Sequence, residues 1–209
     1  MNRRRLIQSA AAAAALPASC GKKHLPPPPH TTLEDLDAML EAEQTTPLLL
    51  VEHFLKRITQ IDRSGPMLNS VIEINPEALE LARDYSYDIQ NGKPRRSSLH
   101  GLPVLIKDNI ETADAMHTTA GSLALHDAPP KEDAPLVTRL RSAGALILGK
   151  TNLSEWANIR SPNSTSGWSA RGGLTRNPHK LTHSASGSSS GSAAAVAAGL
   201  APAAIGTET

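Results

Sequence analysis

Two uninterrupted apolar runs, PVLI at 103–106 and ALIL at 145–148, constrain this chain more than any other feature. Each is short, bounded by turn residues and without a polar position for a solvated face, so each reads as a strand covered on both sides. Around them the apolar residues recur at helical spacing. Leu50, Val51, Phe54, Leu55, Ile58 and Ile61 share one face of a helix that Thr46 caps and Pro47 begins. Thr31 with Glu34 fits a capping box for an earlier helix carrying Leu33, Leu36 and Leu40. NSVIEI at 69–74 alternates like a strand, and Asn75-Pro76 caps a helix that stops at Asn91-Gly92. Residues 134–143 and 190–200 read as further helices, and 203–206 opens another strand. This alternation predicts an α/β fold with a largely buried sheet. Aromatic residues are only 2% of the chain, so its core must be built from Ala, Leu, Ile and Val.

The 209 residues suffice for one domain. Twenty-one Lys and Arg against twenty Asp and Glu leave a formal charge of +1, which gives nucleic acid no electrostatic footprint. A small-molecule or peptide substrate is the easier partner. Residues 1–20 read as an export signal: basic Arg3–Arg5, an apolar stretch from Leu6 to Leu16 too short to span a bilayer, then small residues. The run NRRRLIQ at 2–8 has the twin-arginine form. Two processing routes fit, cleavage after Ala18 or lipid anchoring at Cys20, where PASC is a lipobox with proline in an aliphatic position. Cys20 is the single cysteine, which excludes an intrachain disulfide. Residues 21–32, with Pro26–Pro29, read as an extended spacer, and 33–209 as the domain.

Gly144–Thr151 satisfies the phosphate-loop pattern G-x-x-x-x-G-K-[ST] letter for letter. The physics is wrong for it, because that loop exposes backbone N–H groups around a phosphate, whereas 145–148 are buried-strand residues. His100, His117, His126, His179 and His183 lack the spacing of a metal site and have no cysteine companions. GSSSGS at 187–192 runs into SAAAVAAGLAP, a helix of very small side chains that permits close packing and has no use in a tether. Serine hydroxyls held in a tight backbone at a helix start suit proton exchange or support of an anionic oxygen, although Gly/Ser loops also simply turn a chain. Trp156 and Trp168 stand near one loop, placed to line a site.

In order, GLPVLIKDNI (101–110), GKTNLSEWAN (149–158), TRNP (175–178) and GSSSGSAAAVAAGLAP (187–202) resemble the amidase-signature family. GWSARGG at 167–173, GSSSGS where the family more often has GGSSGGS, and GTET at 206–209 where it more often has GTDT resemble its peptide-amide branch. The resemblance spans about Leu33 to Thr209 and implies a mixed β-sheet core flanked by helices. It also implies hydrolysis of a carboxamide by a serine, a second serine in a cis peptide, and a lysine, with no metal or cofactor. Carried over, the lysine is Lys107 and the second serine is Ser188, preceded by Gly187. Backbone N–H groups at and after Thr209 would hold the oxyanion, and the attacking serine belongs to the triplet that follows Thr209. The expectation is therefore the N-terminal part of an exported amidohydrolase, inactive without that serine.

Chemistry explains the trio: serine is a weak nucleophile without an adjacent base, and lysine can be that base only when burial favours its neutral form. Lys107, at the end of PVLI, is sited for such desolvation. A different class of function stays open, a noncatalytic remnant or a module binding amides or peptides through Trp156, Trp168 and the serine loop. The family's amidotransferase branch, acting on charged tRNA, fits poorly with an export signal and a near-neutral charge.

Overall fold

The computed structural model describes residues 26–208; the export signal with Cys20, and Thr209, lie outside the described residues. Helices α1 (Leu33–Glu41), α2 (Pro47–Arg57) and α3 (Ala78–Gln90) flank strand β1 (Val71–Ile74) in sequence. They are followed by β2 (Pro103–Lys107), α4 (Pro135–Ser142), β3 (Leu146–Thr151), the hairpin β4 (Trp168–Ser169) with β5 (Gly173–Leu174), α5 (Ser190–Ala197) and β6 (Ala204–Ile205). The main sheet has the order β1-β3-β2-β6, with β2 parallel to both neighbours and β1 antiparallel on β3. This is the mixed α/β architecture expected.

Both apolar runs are buried because helices cover both faces of the sheet. Leu105, Leu146 and Leu148 join Leu36, Leu50, Phe54 and Ala195 beneath α1, α2, α3 and α5. Val104, Ile106 and Ile147 join Val137 of α4 together with Ile110 and Met116 on the opposite face. Burial of this kind, at about 25 cal/mol per Å² of apolar surface, is the main force holding the layers together.

The cap of α1 sits one residue later than the sequence pattern suggests. Thr31 Oγ1 donates to Pro28 O at 2.5 Å, while Thr32 and Asp35 form the reciprocal box at 3.1 and 3.2 Å. Thr46 caps α2 as expected, accepting from Leu49 N. A π-helical turn, Ile58–Ser64, extends α2 and turns Asp62 inward, where its carboxylate accepts from Ser70 N at 2.7 Å and Val71 N at 3.1 Å to fix the start of β1.

A register shift in β3 decides where its last residues point. Val104 pairs with Ile147 but Leu105 with Gly149, so Leu148 is the extra residue of a bulge, which inverts the alternation beyond it. Lys150 then leaves the face of Leu146 and Leu148 and reaches Ile110 O, while Thr151 faces α5 and meets Ser192 Oγ at 2.7 Å. Gly149 is required at that point: a Cβ there would lie 2.3 Å from Glu73 O. Lys150 is thus a fully buried strand residue, in the setting that argues against phosphate binding.

Candidate active site

The parallel strands β2, β3 and β6 end together, and their C-terminal ends form the floor of the site, the usual place for ligands in such sheets. Lys107 is the last residue of β2 and only 1% exposed. Its Nζ donates to Ser188 Oγ and to Thr207 Oγ1, both at 2.7 Å. Desolvation pushes the Lys107 amine below its ordinary value of 10.5, which favours the neutral, proton-accepting form.

Ser188 lies just before α5, follows a cis Gly187–Ser188 peptide bond, and is 4% exposed. Its carbonyl accepts from Ser154 N at 3.0 Å, tying the serine loop to the segment after β3. The glycines around it leave spaces that neighbouring atoms fill. A Cβ on Gly187 would lie 2.3 Å from Ser154 Oγ, and one on Gly191 would lie 2.3 Å from Ser70 O and 2.4 Å from Asn152 O. Two of the other serines have partners of their own: Ser189 Oγ donates to Thr207 O, and Ser192 Oγ to Ile205 O, clamping α5 onto β6, whereas the buried Ser190 hydroxyl has no hydrogen-bond partner among the described residues.

Thr207, read in the sequence only as part of GTET, bridges Lys107 and Asn109, whose Nδ2 donates to the same hydroxyl at 3.2 Å. The signal for it was that motif; its contact with the amine depends on β6 lying beside β2. The chemistry of Thr209 cannot be placed in this geometry, because that residue is outside the described range.

Behind Lys107 runs a buried ionic network that sequence reading missed. Asp108 accepts from Thr119 Oγ1, Gly121 N and Arg171 Nη1 at 2.5, 3.0 and 3.0 Å, while burial raises its pKa. Arg171 also pairs with Glu73, which holds His117 Nδ1 at 2.9 Å. Lys150 donates to Ile110 O at 2.7 Å and Thr118 Oγ1 at 2.6 Å, and desolvation lowers its pKa to about 8. These contacts pin the 108–121 loop to β1, β3 and the β4–β5 turn.

That loop forms one wall of a cavity of about 670 Å³ that opens beside Lys107. Trp156 also lines the cavity, its N donating to Ala120 O of that loop at 3.1 Å, in a turn where Trp156, Ala157 and Asn158 all take left-handed φ of 48°, 53° and 66°. Trp168 is not part of this cavity; it is 45% exposed in β4. The two tryptophans, adjacent in expectation, are therefore separated in role. His100 stacks on Tyr85, and His117 stacks on His126; among the described residues, no group of three or more His, Cys, Asp or Glu could hold a metal ion.

The Amidase family profile matches residues 50–209. A probable amidase of Arabidopsis thaliana is 46% identical over 180 residues, covering 85% of this chain and 34% of the relative. A glutamyl-tRNA(Gln) amidotransferase chain from Sulfurihydrogenibium sp. is 36% identical over 179 residues, covering 85% and 35%. Among solved structures, native peptide amidase from Stenotrophomonas maltophilia superposes with a TM-score of 0.82 at 55% identity, covering 85% of this chain and 36% of that one. An amidase family protein from Bacillus anthracis gives 0.81 at 43% identity, covering 86% and 35%. The chain spans about a third of the length of the relatives it matches.

Proposed function

The chain belongs to the amidase family, and on that premise we propose that it carries the lysine and bridging serine of an enzyme that hydrolyses a carboxamide C–N bond. The observation that supports this most is the 2.7 Å contact between the buried Lys107 amine and the Ser188 hydroxyl. In this reading neutral Lys107 takes the Ser188 proton as Ser188 takes that of an attacking serine. The alkoxide adds to the amide carbonyl, and the relay returns the proton to the departing nitrogen as the C–N bond breaks. Ammonia or an amine leaves, and water attacks the acyl-enzyme by the same relay. Serine becomes competent only through such a base, and general-base assistance of this kind contributes about two to four orders of magnitude.

Peptide C-terminal amides are the proposed substrates, supported by the 55% identity to a peptide amidase. Export of the mature protein to the cell envelope is proposed from Arg3–Arg5 and the apolar stretch after them. Ammonia release from peptide amides by the full-length protein tests the enzyme reading, alongside Lys107→Ala and Ser188→Ala. Each variant should lose at least about a hundredfold in kcat. Because the Lys107 pKa is lowered, activity should rise with pH and level off below 10.5. Full rate in either variant would overturn the relay.

A further inference from the structure

The cavity beside Lys107 has an asymmetric wall. Leu125, Leu136, Leu153, Trp156 and Ile159 make it apolar, and its one acidic residue is Glu111. Glu111 is exposed to solvent, and its carboxylate has no ion-pair partner among the described residues. The only cation on the wall among the described residues, Lys107, is engaged with Ser188 and Thr207 on the floor and biased toward neutrality by burial. Glu208 lines the neighbouring recess over the serine loop, not this cavity. A side chain entering here meets hydrocarbon and the Glu111 carboxylate.

The position of Trp156 has a conformational cost. Three consecutive non-glycine residues in the left-handed region are disfavoured, and such backbone persists where the surroundings demand it, often at functional sites. The turn places an indole ring, a large rigid apolar surface, on a wall of the cavity.

We propose that this cavity is the subsite for the residue bearing the scissile amide, and that Trp156 and Glu111 make it select large apolar or cationic side chains over acidic ones. The volume of about 670 Å³ lies in the range of pockets that enclose small ligands. An apolar side chain removes the cavity's hydrocarbon surface from water, a lysine-like side chain buries its stem and leaves its ammonium near Glu111, and a carboxylate is repelled. This rests on the amidohydrolase reading for its orientation, with the amide toward Lys107.

The test measures binding apart from turnover. In the full chain carrying Ser188→Ala, the amides of N-acetylmethionine and N-acetyllysine and the α-amide of N-acetylglutamate are titrated by calorimetry at low salt. Ammonia release from the same three by the unsubstituted protein is followed separately. The methionine and lysine amides should bind about tenfold more tightly than the glutamate amide. Glu111→Gln should weaken the lysine amide and strengthen the glutamate amide, each by roughly threefold to tenfold, opposite signs that a merely structural change would not produce. Trp156→Ala should weaken the methionine amide about tenfold. Equal effects of Glu111→Gln on all three ligands, or no binding, would overturn the proposal. Selective binding with no ammonia released would sustain the subsite and remove the hydrolase reading instead.

Discussion

Replacing Lys150 by methionine isolates the energetic cost of a buried amine. Lys150 is fully buried in β3, with its Nζ held by Ile110 O and Thr118 Oγ1 and its pKa lowered from 10.5 to about 8. Desolvation is the largest cause; Asp108, Asp114 and Glu73 oppose it, and Arg171 reinforces it. Below pH 8 the native amine is charged and the full penalty is present. Between 8 and 10.5 the unfolded chain keeps its proton while the native chain has lost it, so the unfolded state binds more protons and stability rises with pH. At about 1.4 kcal/mol per pH unit, Lys150 should contribute about 3 kcal/mol to the wild-type protein over that window, a contribution absent from the methionine variant, while the lowered Lys107 amine contributes equally to both and cancels in their difference. Urea unfolding followed by far-ultraviolet circular dichroism, at several pH values between 7 and 10.5, measures the difference between the two proteins. Its absolute value at pH 7 combines the removed penalty with the loss of two hydrogen bonds; its slope reports Lys150 alone. A difference that stays flat with pH would refute the assignment of a desolvated amine to this position.

Two further substitutions separate backbone packing from intrinsic preference. Alanine favours helices by about 1 kcal/mol over glycine, yet Gly191→Ala should cost about 3 kcal/mol, because its Cβ would meet Ser70 O and Asn152 O; a raised thermal midpoint would contradict the packing. Ala157→Gly should stabilise by about 1 kcal/mol by relieving the left-handed strain at φ 53°, and a lowered denaturation midpoint would show that the turn is not strained there.

Much of the framework was legible because local rules and burial agreed. PVLI became β2 and the Thr46-Pro47 start became α2, since caps and apolar spacing act within a few residues. ALIL understates its strand: β3 continues through Gly149, Lys150 and Thr151, and the sheet buries the two polar side chains by giving each a partner. The inversion that sends Lys150 to the face opposite Leu148 depends on an unpaired residue in β3, which no periodicity in the sequence could display. The β4–β5 hairpin escaped notice because each strand is only 2 residues long. At the site, the closeness of Lys107 and Ser188 came from family resemblance, 81 residues apart in the chain. Thr207 and the Asp108–Arg171–Glu73 network are long-range contacts between segments with no common motif, so they became visible only once the strands were in register.

Gly149 against β1, and Gly187 and Gly191 in the serine loop, leave no room for even one methyl group, whereas the cavity is bounded by side chains such as Leu125, Trp156 and Ile159. Mutational freedom is therefore divided by geometry. On the proposed reading, substitutions at the rim can change which molecules are admitted without disturbing the Lys107–Ser188 contact anchored below, so new preferences are reachable in small steps.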